Sequence, residues 1–434
     1  MSRSSYAVLA SSALLVALGC GNSDAPKEPT HEGAGGLRAA GAEAGRGSGG
    51  EAALAGSAGV GVVTSGGGVG GVAGTPVHAG AAGSATLGGR PGAGGNSVSG
   101  ANAGGRDEHA SGGATSGGPG TSGGATAGDG GDSGVGPTTG TPAEVGLASL
   151  PVARQEHGVV AVGGRVYVLG GYTPDVTASV LAYDPSADSW HAVADFPSPF
   201  NHPAAGVVGG KIYVAGYYAG SSLTGPATGR TYVYDPAADG WTEKKRMTSG
   251  SERAGGCVAV LGSELYVFGG GNNGAATMFA SVYDTASDTW TDLPPLPETR
   301  EHCAAFASGG KLYIAGGRTH TIPEFRPTTL EFDPATQAYS EKTPIPTPRG
   351  GLAGAVLGGR LFVFGGEGAD NELGVFDDID AYDAVTDSWQ KFPALIVPRH
   401  GFGAATLGER IYLPGGAIHQ GGAATDAVTT FYFE

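Results

Sequence analysis

The amino-acid sequence predicts an all-β domain built from repeats of about fifty residues, preceded by a long disordered segment. Residues 183–190 read YDPSADSW, and the motif recurs as YDPAADGW, YDTASDTW, FDPATQAY and YDAVTDSW, with starting positions 51, 49, 49 and 50 residues apart. A short alternating stretch that ends in Gly precedes each copy, and six such stretches occur. A fixed period of this length is typical of stacked or radial architectures.

The disordered segment is predicted from composition. Gly accounts for 84 of the 434 residues and is concentrated between about residues 33 and 140, in GGA, SGG and GAG strings with few large apolar side chains. Such a Gly/Ala/Ser-rich stretch buries too little apolar surface to offset the entropy of ordering. We therefore expect a flexible linker over residues 20–145 and a folded domain over residues 146–434.

The first residues are typical of an export signal. Arg3 is followed by an apolar run that ends at Leu18, Gly19 and Cys20, so residues 1–19 are predicted to be a signal peptide. A cysteine at this position resembles a bacterial lipoprotein signal, which implies that Cys20 is lipidated. Because Gly21 rather than Asp follows, the resemblance favours the outer membrane or cell surface, with secretion as the alternative. Contact with the membrane is then expected only through the lipid anchor.

Each repeat divides into four short strands. In the third repeat, residues 256–262 and 264–270 are predicted strands around a tight Gly262-Ser263 turn, and SVYDT and DTWTDLP supply the next two. Six such units, each with a double Gly, then Tyr-Asp and then Trp, resemble the kelch repeat. The resemblance implies a six-bladed β-propeller in which the Tyr and Trp rings pack between neighbouring blades. The last repeat lacks its fourth strand, so residues near Gly146–Leu150 are predicted to complete that blade and close the propeller.

Charge and cysteine content restrict the function classes. The whole chain carries a formal charge of −16, and residues 146–434 hold 18 basic and 30 acidic side chains, so we expect no nucleic-acid partner. Cys257 and Cys303 fall in the first strands of adjacent repeats, 12 and 13 residues before the double Gly. Because side chains alternate along a strand, we expect them to point in opposite directions and remain buried thiols.

Candidate ligand-binding residues lie on the face that carries the long variable loops. One Arg recurs sixteen residues before the double Gly and is expected to ring the mouth of the central channel, where it would bind an anion or make structural salt bridges. The second repeat instead has Phe200-Asn201-His202, followed by paired aromatics that suit stacking on a sugar or packing in the loop. The candidate binding residues are Arg154, Arg253, Arg300, Arg349, Arg399, Tyr217 and Tyr218.

No catalytic or metal site can be assigned from the sequence. His157, His202, His302 and His400 lie near repeat entries, but no HxH or HExxH spacing occurs, and the acidic loop at 366–380 lacks a DxDxDG pattern. We therefore predict no metal and no cofactor. Galactose oxidase shares the kelch propeller, but its copper ligands have no counterparts that can be matched here. Four carboxylates near the repeat entries are candidates for acid–base chemistry: Glu156, Glu252, Glu301 and Glu367.

Binding is favoured over catalysis. The main prediction is a recognition module, tethered to the cell envelope, that binds a protein or glycan, including an anionic one, through the loop face. The alternative is a periplasmic sugar-modifying enzyme, because six-bladed kelch propellers resemble the sialic acid mutarotases. The identity of the ligand and the oligomeric state are left open by the sequence.

Overall fold

The computed structural model describes residues 138–221, 225–319 and 324–434, together with two short strands at 121–123 and 126–128. The predicted signal peptide, Cys20 and most of the predicted linker lie outside these residues. No helix with the length and apolar character needed to cross a bilayer occurs in this described part of the chain.

Strands make up all of the regular structure over these residues and are numbered along the chain. Three precede the first complete blade: β1 (Thr121–Gly123), β2 (Thr126–Gly128) and β3 (Pro142–Gly146). Blade 1 contains β4 (Gly158–Val162), β5 (Arg165–Leu169), β6 (Val180–Asp184) and β7 (Ser189–Val193). Blade 2 contains β8 (Phe200–Asn201), β9 (Ala205–Val208), β10 (Lys211–Ala219), β11 (Ala227–Asp235) and β12 (Gly240–Lys244).

The remaining blades follow the same order. Blade 3 contains β13 (Cys257–Leu261), β14 (Glu264–Phe268), the small hairpin β15 (Gly271–Asn272) and β16 (Ala275–Ala276), β17 (Ala280–Asp284) and β18 (Thr289–Leu293). Blade 4 contains β19 (Ala304–Ser308), β20 (Lys311–Ala315), β21 (Thr329–Asp333) and β22 (Ala338–Lys342). Blade 5 contains β23 (Ala353–Leu357), β24 (Arg360–Phe364), β25 (Ile379–Asp383) and β26 (Ser388–Phe392). Blade 6 contains β27 (Ala405–Leu407), β28 (Arg410–Pro414), the hairpin β29 (Ala417–His419) and β30 (Gly422–Ala424), and β31 (Val428–Phe433).

The six-bladed propeller is therefore confirmed: each blade has four main antiparallel strands, to which β8 is added in blade 2 and the β1–β2 hairpin in blade 4. The first strand of each blade is innermost, and its small apolar residues are buried on both faces, as in the BBBBB pattern of β4. The outermost strands alternate between half-buried and exposed positions, as in β18. Burial therefore decreases from the channel outwards, as the residue types of the successive strands require.

The blade that closes the propeller joins the two ends of the domain, as predicted, but with a different segment. β3 pairs with β31, with Pro142 opposite Phe433 and Gly146 opposite Thr429. The expected closing residues, Gly146–Leu150, mostly follow the strand, and the domain boundary at residue 146 was placed too late. Pro142–Gly146 contains Pro, Glu and Gly, which are uncommon in strands, so only its pairing with β31 identifies it as a strand.

A short hairpin from the predicted linker lies inside the ring of innermost strands. β1 pairs antiparallel with β2 and also with β19, where Thr121 lies opposite Phe306 and Gly123 opposite Ala304. β2 contacts the innermost strands β4 and β9, and β1 contacts β13 and β23. The hairpin therefore occupies the channel around which the blades are arranged.

The repeated YDPxxDxW motif connects each of the four blades that contain it in full to the blade before. In blade 2, the hydroxyl of Tyr234 donates to Asp239 at 2.7 Å, and Asp239 accepts the backbone N–H of Ala194 in blade 1 at 2.8 Å. The indole of Trp241 donates to the carbonyl of the same Ala194 at 3.0 Å. The same triplet of bonds recurs around Ala148, Lys245 and Thr343. The aromatic stripe therefore has a structural role, because it satisfies one peptide group of the preceding blade.

Cys257 and Cys303 form a disulfide between blades 3 and 4, with 5.4 Å between their Cα atoms, so the prediction of two free thiols was wrong. Cys257 is the first residue of β13, whereas Cys303 precedes β19 and follows His302, whose φ is +54°. The alternation rule does not apply to a residue outside the ladder. The positive φ turns the backbone so that Cys303 faces the neighbouring blade.

Candidate functional site

The five recurring Arg side chains are buried beneath the loop face and do not line an open mouth. Arg253, Arg300, Arg349 and Arg399 are fully buried, and Arg154 is 2% exposed. Four of the five donate to the backbone carbonyl of the first Gly of the double Gly that follows the second strand of their own blade. Arg399, for example, donates to Gly415 at 3.2 Å and also to Ala427 at 3.0 Å. The structure therefore contradicts the expectation that these guanidinium groups face a ligand and favours their structural role.

The paired aromatics of blade 2 are also buried. Tyr217 packs edge-on against Phe196 and Phe200 in the apolar layer between blades 1 and 2. Tyr218 is 2% exposed and lies edge-on against His202, with 5.4 Å between the ring centroids. Neither ring presents a face on which a sugar could stack, so the packing interpretation of these residues holds.

A closed ring of backbone hydrogen bonds surrounds the mouth of the channel on the loop face. In each blade, the residue two positions after the recurring Arg, or after Phe200 in blade 2, adopts a positive φ between 51° and 65°. Its N–H donates to the carbonyl of the equivalent residue in the preceding blade, at 2.6 to 3.2 Å, and the sixth bond returns to the first blade. We call these six residues the mouth ring: Glu156, His202, Gly255, His302, Gly351 and Gly401.

Three members of the mouth ring carry side chains that converge. Glu156 Oε2 lies 3.2 Å from His202 Nε2 and 3.5 Å from His302 Nε2. One potential ligand atom from each of these three residues lies within 4.8 Å of those from the other two. A small cavity adjoins them, lined also by His157, Leu352 and Phe402.

A chain of charged groups extends from this triad around the mouth. Glu301 Oε1 lies 3.5 Å from His302 Nδ1 and 3.3 Å from Arg318 Nε. Arg318 also pairs with Glu367, whose other oxygen lies 3.8 Å from His400 Nδ1. We call these seven residues the mouth cluster: Glu156, His202, His302, Glu301, Arg318, Glu367 and His400. Every side chain in it is 15% exposed or less.

Burial and mutual pairing shift the pKa values within the mouth cluster in different directions. Burial would raise the pKa of Glu156, but His202 and His302 outweigh it and hold that pKa well below its usual value. Burial would lower the pKa of His302, as does Arg318, but Glu301 and Glu156 raise it to about 8. Burial dominates at His202 and lowers its pKa to about 4. The two neighbouring imidazoles are therefore shifted in opposite directions, His302 towards its charged form and His202 towards its neutral form.

The sequence contained a signal for this site that spacing rules for metals did not detect. The mouth-ring position lies fourteen residues before the Gly that follows each blade's second strand, and it is Gly in three blades and Glu or His in the other three. Gly adopts a positive φ without steric cost, whereas Glu and His do not, so their presence marks positions retained for their side chains. Of the four candidate carboxylates, Glu156, Glu301 and Glu367 meet in the mouth cluster, and Glu252 lies apart from it.

The loop face also carries a cleft and most of the exposed apolar side chains. The cleft, about 640 Å³, lies between the blade 2 loop at Pro226–Gly229, the connection at Arg246–Glu252 and Asn272 of blade 3. Five of the seven large apolar side chains that are exposed in the described part of the chain lie on loop-face connections: Val152, Met278, Phe279, Leu373 and Ile396. Exposed apolar side chains gathered on one face are a feature that protein interfaces share.

Six four-stranded blades, inter-blade Tyr–Asp–Trp contacts and a buried Arg beneath the loop face define a kelch-type β-propeller. Sequence comparison agrees: residues 153–197 and 199–248 each match the Kelch motif, and residues 245–416 match the KLHDC2/KLHL20/DRC7 Kelch-repeats domain. The chain is 33% identical over 319 residues to Kelch-like protein terF of Aspergillus terreus, covering 68% of this chain and 70% of that protein. The chain belongs to the kelch-repeat family.

Other relatives are matched over shorter stretches. Kelch-like protein 35 of Mus musculus is 30% identical over 175 residues, which cover 40% of this chain and 28% of that protein. N-acetylneuraminate epimerase of Pasteurella multocida is 33% identical over 115 residues, 26% of this chain and 30% of the enzyme. The solved structure of YjhT shares the fold, with a TM-score of 0.55 at 18% identity, over 65% of this chain and 96% of that one.

Proposed function

We propose that this protein is a recognition module of the cell envelope that binds a protein partner through the loop face of its propeller. The observation that carries the proposal is that most of the exposed apolar side chains of the described residues lie on that face, which also carries the cleft between blades 2 and 3. Kelch propellers commonly bind protein partners. A glycan is less well supported, because the Arg and Tyr side chains that would hold it are buried.

The experiment compares the two faces of the same molecule. Phe279, 38% exposed on the loop face, is replaced by photoreactive benzoylphenylalanine, and the matched control places the same group at Val385, which is 91% exposed on the opposite face. After irradiation with envelope extract, one defined partner is expected to crosslink at 279 and not at 385. Met278→Ser should reduce crosslinking at 279 without changing the melting temperature. Equal crosslinking from both faces, or none from 279, would contradict the proposal.

The envelope location is proposed from the signal and is supported by the disulfide. A bond between Cys257 and Cys303 is stable in an oxidising compartment and is rare in a bacterial cytosol. If Cys20 is lipidated, Cys20→Ser should leave unprocessed precursor and abolish labelling by a fatty-acid analogue. Processing to a soluble form in that variant would instead indicate simple secretion.

A sugar mutarotase is the second candidate, because part of the chain is similar to N-acetylneuraminate epimerase and three carboxylates meet at the mouth. Exposure argues against it: Glu301 and Glu367 are only 3% exposed, so a sugar would not reach them without rearrangement of the mouth. NMR exchange measurements on N-acetylneuraminate decide the point. No acceleration of anomer exchange is expected, and an acceleration lost in Glu156→Gln would establish the enzyme.

A further inference from the structure

The mouth ring carries three side chains at positions where the backbone favours Gly. Glu156, His202 and His302 have φ values of 54°, 51° and 54°, and the same positions in the other three blades are Gly255, Gly351 and Gly401. Residues held in this unfavourable region are concentrated at ligand and catalytic sites, where the surrounding structure maintains them. The fold itself therefore does not need these side chains, and a separate role has to account for them.

The two distances from Glu156 to the imidazoles of the triad fit the coordination of a small divalent ion. Zinc bound to nitrogen and oxygen at about 2.0–2.1 Å in a tetrahedron places adjacent ligand atoms about 3.4 Å apart. The two separations from Glu156 Oε2 to the Nε2 atoms of His202 and His302 are 3.2 and 3.5 Å. Two imidazole nitrogens and one carboxylate oxygen are ligands preferred by zinc and neighbouring transition metals over magnesium or calcium.

Each imidazole also has an acceptor beside its other nitrogen. His202 Nδ1 lies 2.6 Å from Asn201 Oδ1, and in the tautomer that donates from Nδ1 to this oxygen, Nε2 is available as a ligand on the side of Glu156. His302 Nδ1 lies 3.5 Å from Glu301 Oε1, close to the geometry in which a carboxylate orients a metal-binding imidazole. Such outer partners are typical of metal sites, because they fix the tautomer and make the ligating nitrogen more basic.

Hydrogen bonding and charge in the triad are incomplete without a cation. His302 is 5% exposed, and its Nε2, which faces Glu156, lacks a hydrogen-bond partner. The mouth cluster holds three carboxylates and only one guanidinium, so its carboxylates outnumber its permanently charged cation. Buried charge of one sign is costly unless it is paired or coordinates a metal, and a divalent ion would balance this one.

We propose that Glu156, His202 and His302 form a binding site for a zinc-class divalent transition-metal ion at the loop-face mouth of the propeller. Three protein ligands leave a fourth position for water or a ligand group, as at catalytic rather than closed structural sites. The site is distinct from the loop-face surface proposed for a protein partner, so either proposal can fail without the other.

The test is a titration of the metal-free full chain with Zn²⁺, followed by calorimetry. The chain carries Cys20→Ser, which removes the one cysteine outside the disulfide. One zinc ion per chain is expected, without competition from millimolar Mg²⁺. His202→Gly and His302→Gly should each weaken binding at least a hundredfold, because loss of a ligand should exceed the 10–100-fold effect typical of outer partners. Gly suits the ring backbone, so these variants should remain folded, as a melting curve checks.

His191→Ala is the matched control, because it removes a histidine of β7 that lies outside the mouth cluster, and it should leave zinc affinity unchanged. X-ray absorption at the zinc edge should show two imidazole ligands in the parent chain and one in His302→Gly. Folded His202→Gly and His302→Gly variants that bind zinc as tightly as the parent would overturn the proposal. The same conclusion would follow if the parent chain bound zinc no more tightly than either of the two Gly variants.

Discussion

The positive φ values of the mouth ring predict that Gly is more stable than Ala at these positions, which is the reverse of the order at ordinary strand positions. At an extended strand position, Gly is less stable than Ala by about 0.5–1 kcal/mol, because its unfolded chain has more freedom. At a positive φ near 54°, an L side chain costs about 1–2 kcal/mol that Gly avoids. The difference predicts that His302→Gly is more stable than His302→Ala by about 1 kcal/mol.

Thermal or guanidinium unfolding in the presence of a chelator measures this difference without a metal contribution. For a domain of this size, about 1 kcal/mol corresponds to a shift of about 2–3 °C in melting temperature. The comparison between Gly and Ala at one position cancels the loss of the imidazole, which both variants share. The same order, Gly above Ala, is expected at His202.

Gly255→Ala is the reciprocal control. A Cβ added there would meet His302 Cε1 at 3.4 Å and His202 Cδ2 and His302 Nδ1 at 3.7 Å, all ordinary contacts, so the positive φ of 61° is the main source of its cost. The variant should lose about 1 kcal/mol, by the same arithmetic. Equal stability of the Ala and Gly variants at position 302, together with no loss in Gly255→Ala, would refute the strain argument.

Three further predictions concern the scaffold. Arg399→Ala should cost about 3 kcal/mol in the free energy of unfolding, because it leaves the buried carbonyl of Gly415 without its side-chain donor and removes one of two donors to Ala427, while crosslinking at the loop face is unchanged in the folded fraction. Replacing both cysteines of the disulfide by Ser should cost about 2–4 kcal/mol in chemical denaturation, since the bond closes a loop between residues 46 apart. Deleting the chain up to residue 146 removes β3 and should lower the melting temperature sharply, whereas deletion up to residue 104 should not; equal melting of the two truncations would contradict the closure.

The repeat and its register were predictable because they depend on local chemistry. Tight turns with Gly, alternating apolar strands and the Tyr-Asp-Trp motif recur at one period, and each copy specifies the same four strands in every blade. The closure also followed from counting, because the last repeat lacks one strand. Its position was wrong by a few residues, since Pro142–Gly146 becomes a strand only when it pairs with β31.

The functional residues were harder to predict because their environment arises from contacts between blades. An Arg at one register looks like a ring of charge in the sequence, but the neighbouring strand ends bury Arg399 and the loop carbonyls bind it. Cys303 was assigned to a strand by counting, whereas the positive φ at His302 turns it towards Cys257.

The sequence by itself therefore determined the all-β repeat, the number of blades and the closure of the last blade, because each depends on residues close together or on a simple count of strands. Only the tertiary structure decided which side chains meet. Glu156, His202 and His302 come from three blades and are 46 and 100 residues apart, and no local pattern records their distance. The closed ring of hydrogen bonds brings them within reach of one another, because it holds equivalent residues of successive blades around one narrow mouth.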